Sequence, residues 1–173
     1  MVFREPDGGQ QYFSFGYGLP QYERRPSEGE LELTRKAARL VMDDVEAELK
    51  EPGIEVIVGP VEELNDELVR RGRPVFPSAA NVYGWVLQGD GGAIGIWHPE
   101  DQEWPDLVVS VADIIQEGII EGTEHWGVAF PMCAVHPNHP MEAQVVNAGA
   151  GWVCPKGAGE PVPIGRIRLT KSS

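Results

Sequence analysis

Cys133-Ala134-Val135-His136-Pro137-Asn138-His139, followed after fourteen residues by Cys154-Pro155, is the stretch on which the reading of the fold turns. It holds both cysteines and two of the four histidines of a 173-residue chain, in the order C-x2-H-x2-H-x14-C. Thiolate and imidazole are the donors zinc prefers, and two donors three apart on a tight turn reach one ion from the same side. Cys133 and His136 make such a knuckle. Pro137 and Pro140 hold His139 in an extended stretch from which its ring can turn back, and a hairpin returns Cys154 to the start. The expectation is a four-coordinate Zn2+ site made by Cys133, His136, His139 and Cys154. If all four close the shell the ion is structural, because a catalytic zinc keeps a position for water.

This arrangement resembles the zinc-ribbon and zinc-knuckle class, in which a metal clamps a β-hairpin to a turn. The resemblance covers residues 133–167. It departs from the usual ribbon, in which each of two knuckles gives a pair of ligands, because Cys154-Pro155-Lys156-Gly157 gives one. The fourth ligand is therefore open among His139, His125 and Glu142. A Cys133–Cys154 disulfide is the metal-free alternative, disfavoured in a reducing compartment.

Length and composition bound the rest. A chain of 173 residues buries roughly 70% of its unfolded surface without staples, so a core is available before any metal is invoked. The twenty-one glycines and fifteen prolines point to many turns. The first residues have no basic start followed by an apolar run, and no stretch reaches the length of a membrane span, so a cytoplasmic protein is expected. The net charge is -13, and residues 74–155 contain ten acids but no Lys or Arg. A phosphate-binding surface needs the opposite sign. Direct nucleic-acid binding is therefore not expected, whereas a basic protein partner would be attracted at long range.

Along the chain, 11–16 reads as an aromatic edge strand next to Tyr17. Ser27-Glu28-Gly29-Glu30 is a capping box, and Leu31, Ala38, Val41, Val45 and Leu49 share a helical face, predicting a helix over 28–50. A β-branched strand over 54–58 follows, then a second helix faced by Val61, Leu64 and Leu68. Two strands, 82–87 and 93–97, flank a Gly-rich loop as a hairpin, with Tyr83, Trp85 and Leu87 alternating to one face. The stripe Val108, Val111, Ile115 and Ile119 predicts a buried helix over 107–121 with Asp106 as N-cap. A second hairpin turns at 147–150, and 164–169 closes the chain as a strand.

Chemistry outside the knuckle is sparse. His98-Pro99-Glu100 ahead of Pro131-Met132-Cys133-Ala134-Val135-His136 looks like a zinc-deaminase signature, H-x-E then P-C-x-x-C, in which Glu100 would shuttle protons for a zinc-bound water. It departs from that pattern in the place of Pro131 and in having His136 where a second Cys belongs. That resemblance would make the chain a hydrolase using His98, Glu100, Cys133 and His136 on free cytidine or adenine derivatives. No G-x-S-x-G elbow, H-E-x-x-H pair or dinucleotide fingerprint occurs. The sequence thus predicts an α+β fold in which N-terminal helices and a central antiparallel sheet (1–125) carry a zinc-clamped hairpin (126–173). The expected role is non-catalytic: an immunity- or inhibitor-like protein, or an accessory subunit of an assembly, acting through a protein partner.

Overall fold

A computed structural model describes residues 25–73, 82–89, 92–97, 99, 101–122 and 127–167. Within these the order is α1 (Glu28–Glu48), β1 (Ile54–Val58), α2 (Val61–Arg70), β2 (Gly84–Gln88), β3 (Ala93–Ile96), α3 (Trp104–Glu121), β4 (Glu142–Val146), β5 (Gly149–Val153) and β6 (Val162–Pro163). The fold is α+β, with three helices and two small antiparallel sheets, β1-β2-β3 and β4-β5-β6. The edge strand expected over 11–16 lies outside the described residues.

α1 starts where its capping box requires. Ser27 Oγ accepts from the Glu30 amide at 3.3 Å, while Glu30 Oε2 accepts from the Ser27 amide at 2.7 Å. Its apolar face, including Leu31, Val41 and Val45, is buried. α3 begins at Trp104, three residues before the start expected from its stripe, and its N-cap is Glu103 instead of Asp106. Pro105 explains the difference: in the first turn its missing N–H has no partner to lose and its fixed φ suits the helix. Leu107, Val108, Val111, Ile115 and Ile119 are buried as the stripe predicts. Gly118 continues the helix because a Cβ there would stand 2.6 Å from Val86 Cγ1, so only a bare Cα lets α3 lie this close to β2.

Every residue of β2 is buried, because the sheet is covered on both faces. Val86 and Ile96 join α1 and α3 in the larger core cluster, while Trp85 and Leu87 pack with Leu64 and Leu68 of α2 in a smaller one. Tyr83 does not share the face of Trp85 and Leu87; it belongs to the larger cluster. The reason is a bulge-like entry to the strand. Gly84 is the register partner of Ile96, yet the Tyr83 amide also donates to Ile96 O at 2.8 Å, so two residues answer one and the alternation slips. Gly84 tolerates no side chain here, since a Cβ would meet Ile57 O at 2.4 Å.

The second hairpin is tighter than its sequence suggests. Val146 pairs with Gly149, leaving a two-residue turn of Asn147 (φ 50°) and Ala148 (φ 62°), both left-handed. Two positive φ values in a two-residue loop mark a type I′ turn, whose second position favours glycine. Ala148→Gly should therefore stabilise the protein by about 0.5–1 kcal/mol, relief of left-handed strain exceeding the entropy glycine adds to the unfolded chain. Thermal denaturation would show a Tm about 2 °C higher. β6 is two residues, paired with Trp152 and Gly151 of β5; of the strand expected over 164–169, the described residues 164–167 form no strand and 168–169 lie outside the described residues. Gly165, with φ 84°, turns the chain away immediately afterwards.

α3 carries one electrostatic liability. Burial, then the charges of Glu142 and Glu117, push the Asp113 carboxyl up from its ordinary 3.8 to about 6. The folded state thus holds this proton more tightly than the unfolded chain. Stability associated with it falls as pH rises from about 4 through 6 and is flat above. Asp113→Asn should raise Tm at pH 8 and have little effect at pH 4. The residue as a whole is exposed, so water screens the effect to about 1 kcal/mol or less.

Candidate metal centre

The second hairpin and the loop before it bring together Cys133, His136, His139 and Cys154. One donor atom from each lies within 4.8 Å of the others, an arrangement that could hold a metal ion. Cys154 Sγ is 3.5 Å from His136 Nδ1 and 4.0 Å from His139 Nε2, and Cys133 Sγ is 3.9 Å from His136 Nδ1. Donors about 2.0–2.3 Å from a tetrahedral ion stand roughly 3.3–3.8 Å apart. The three distances above fall in or within tenths of an ångström of that range, and no pair of donors is more than 4.8 Å apart. Both thiols are buried and free, so the disulfide alternative is not the arrangement found.

Local structure explains the convergence. The loop 133–139 is pinched at its base by a bridge between Met132 and Pro140, with the Met141 amide donating to Pro131 O at 2.8 Å. The Phe130–Pro131 peptide bond is cis. Inside the loop the His136 amide donates to Cys133 Sγ at 3.4 Å, so the x2 spacing folds the imidazole back over the thiol. The two rings stack with centroids 5.2 Å apart and planes at 29°. His139 Nδ1 lies 2.9 Å from Pro140 O, which can only accept, so Nδ1 is the donor there and Nε2 is the ring nitrogen that faces Cys154.

Cys154 arrives from the other side, directly after β5. A turn closed by the Gly157 amide on Cys154 O, with Gly157 at φ 68°, follows it. Burial pushes the Cys154 thiol up, but hydrogen bonds from the Ala158 and Lys156 amides and from Cys133, with the Lys156 charge, outweigh it and leave the thiol below its ordinary value. Sulfur at this position is prepared to carry negative charge, as a metal-binding thiolate must.

A supporting layer holds the loop from behind. Gln116 of α3 donates through Nε2 to Phe130 O at 2.6 Å and to Met141 O at 2.7 Å, fastening both arms of the loop. Glu48, at the end of α1, accepts from the Met132 amide at 2.7 Å. Burial is the main cause that raises the Glu48 carboxyl, with Asp44 adding to it and the Met132 bond opposing. Neither residue is distinguishable in the sequence from an ordinary helical surface position; their only signal is placement on the inward side of a helix.

Of the fourth-ligand candidates, His139 is in the cluster. Glu142 is exposed on β4 and is not a member of it. His125, like the His98 and Glu100 of the deaminase-like pattern, lies outside the described residues. No helix of the described chain is long and apolar enough to cross a membrane. Comparison with family models, curated proteins and solved structures finds no match to this chain.

Proposed function

We propose that Cys133, His136, His139 and Cys154 bind one Zn2+ as a structural ion, and that the protein is a non-catalytic binding or accessory subunit. What supports this reading is the donor set: two thiols and two imidazoles from two chain segments, with donor atoms all within 4.8 Å of one another. Four protein donors fill a tetrahedral shell, two thiolates neutralise the ion, and no position is left for a reacting water. Zinc is favoured over harder divalent ions because half the donors are sulfur. The ion would clamp the turn after β5 to the loop before β4. Function then rests on surfaces, and the acidity of 74–155 suits a basic protein partner, as for an immunity-like or inhibitor protein or a subunit of an assembly.

The deciding experiment is cobalt replacement in the full chain. A structural site should give the intense visible bands of tetrahedral thiolate-bound Co2+, unchanged between pH 6 and 9 and on adding azide. Bands that shift with pH or azide would reveal an exchangeable position and overturn the structural reading; no bands at all would overturn the site.

A further inference from the structure

The first sheet ends in the edge strand β1, at the bottom of a cleft of about 820 Å³ between α1 and α2. The ladder fixes which backbone groups face that cleft. Gly59 donates to Tyr83 O and Gly89 donates to Gly53 O, so odd-numbered positions of β1 bond to β2. The N–H and C=O groups of Ile54, Val56 and Val58 therefore point the other way. Among the described residues nothing pairs with them. A strand edge of this kind is a template for another strand.

The charges around the cleft select the occupant. α1 and α2 both run antiparallel to β1, as the short connections and two ion pairs require: Arg25 reaches Glu62 at one end, and Arg71 reaches Glu55 at the other. At the Val58 end α1 presents Arg35 and Arg39, the latter in a surface pair with Asp43, and α2 presents Glu63. At the Ile54 end α1 presents Glu46, and α2 presents Arg70 and Arg71, both in surface pairs with Glu67. Sign thus reverses along each wall and across the cleft. A peptide of one sign would meet repulsion at half of these positions. A two-fold axis perpendicular to the sheet, beside Val56 and midway between two antiparallel copies of β1, instead superposes each end on the other, bringing Arg39 to Glu46 of a second copy and Glu63 to its Arg70, each twice.

We propose that β1 is the seam of a homodimer: a second copy of this chain pairs its β1 antiparallel, Ile54 with Val58 and Val56 with Val56, making one six-stranded sheet with α1 beside α1 and α2 beside α2. This is independent of the metal reading. The chain's overall negative charge opposes association at long range, but at 0.15 M salt the screening length of about 8 Å suppresses that repulsion far more than contacts a few ångströms apart.

Sedimentation velocity of the 173-residue chain as purified, at 0.15 M NaCl and over roughly 1–200 μM, tests it. The wild type should show a species of twice the 19.0 kDa chain mass. Arg39→Glu should weaken dimerisation by at least about tenfold, since like charges then face each other at two symmetric places. The Arg39 side chain is 81% exposed, so the variant should fold as the wild type does. Adding Glu46→Arg should restore the wild-type dissociation constant to within about threefold, a reversal that general loss of stability would not give. A monomer at every concentration, a dimer indifferent to Arg39→Glu, or a double variant no better than the single would each overturn the proposal.

Discussion

Cys154→Ser should remove bound zinc and lower the melting temperature by roughly 8–16 °C. An ion bound a thousandfold below its free concentration stabilises the folded state by about 4 kcal/mol, and a domain of this size moves about 2–4 °C per kcal/mol. Cys154 and Cys133 are also members of the larger core cluster, beside Phe130, Met141 and Trp152, so loosening the loop opens the core with it. Chelation of the wild type should produce the same shift, reversed by added Zn2+, while leaving the already depleted variant unmoved. Elemental analysis with calorimetry checks both. Full zinc content and an unchanged Tm in Cys154→Ser would contradict the prediction.

Asp44→Ala should be nearly as damaging, for a reason unrelated to metal. Asp44 is fully buried on α1, and its carboxylate accepts three hydrogen bonds: Trp152 Nε1 at 2.8 Å, Gly165 N at 2.7 Å and Ile167 N at 2.7 Å. Truncation leaves one buried donor, Trp152 Nε1, and two half-buried backbone donors without their acceptor, at about 1–3 kcal/mol for a fully buried group and less for the others. A loss of about 4 kcal/mol and a Tm lower by roughly 8–16 °C follows. Asp44→Asn keeps one acceptor oxygen and should lose about half as much. Urea denaturation of the two variants gives the comparison; equal losses would show that the charge, not the number of acceptors, matters.

Asp44 also shows why part of this molecule was illegible in its sequence. In Val41-Met42-Asp43-Asp44-Val45 two adjacent aspartates look alike, yet Asp43 is exposed and pairs with Arg39 while Asp44 anchors the chain's last described turn. Nothing local separates them, because the partners of Asp44 lie more than a hundred residues away. Gln116 and Glu48 were hidden in the same way. The Cys/His cluster was legible for the opposite reason: Cys and His are scarce, and spacing on a turn constrains them within a few residues. α1 was readable because a capping box is a local hydrogen-bond pattern, and β1 because a β-branched run is a local preference. The start of α3 was misplaced because apolar periodicity ignores the first turn, where Pro105 carried the signal. The sequence places the second turn over 147–150, two residues longer than the Asn147-Ala148 turn found, because alanine rarely takes a left-handed φ and only strand pairing fixes the register. The last strand pairing with β5 falls on Val162 and Pro163, which hydrophobicity does not mark, while the more apolar 164–167 form a turn and irregular chain.

The twin bond from Gln116 to the two arms of the cysteine loop has a kinetic reading as well. A loop whose shape is set by a helix behind it loses little freedom when an ion enters, so capture needs no search for the ligating geometry. Escape, by contrast, demands that several donors let go of a frame that does not bend with them. Such a centre should load fast and exchange its metal slowly, a trait that belongs to the α3 amide as much as to the sulfurs.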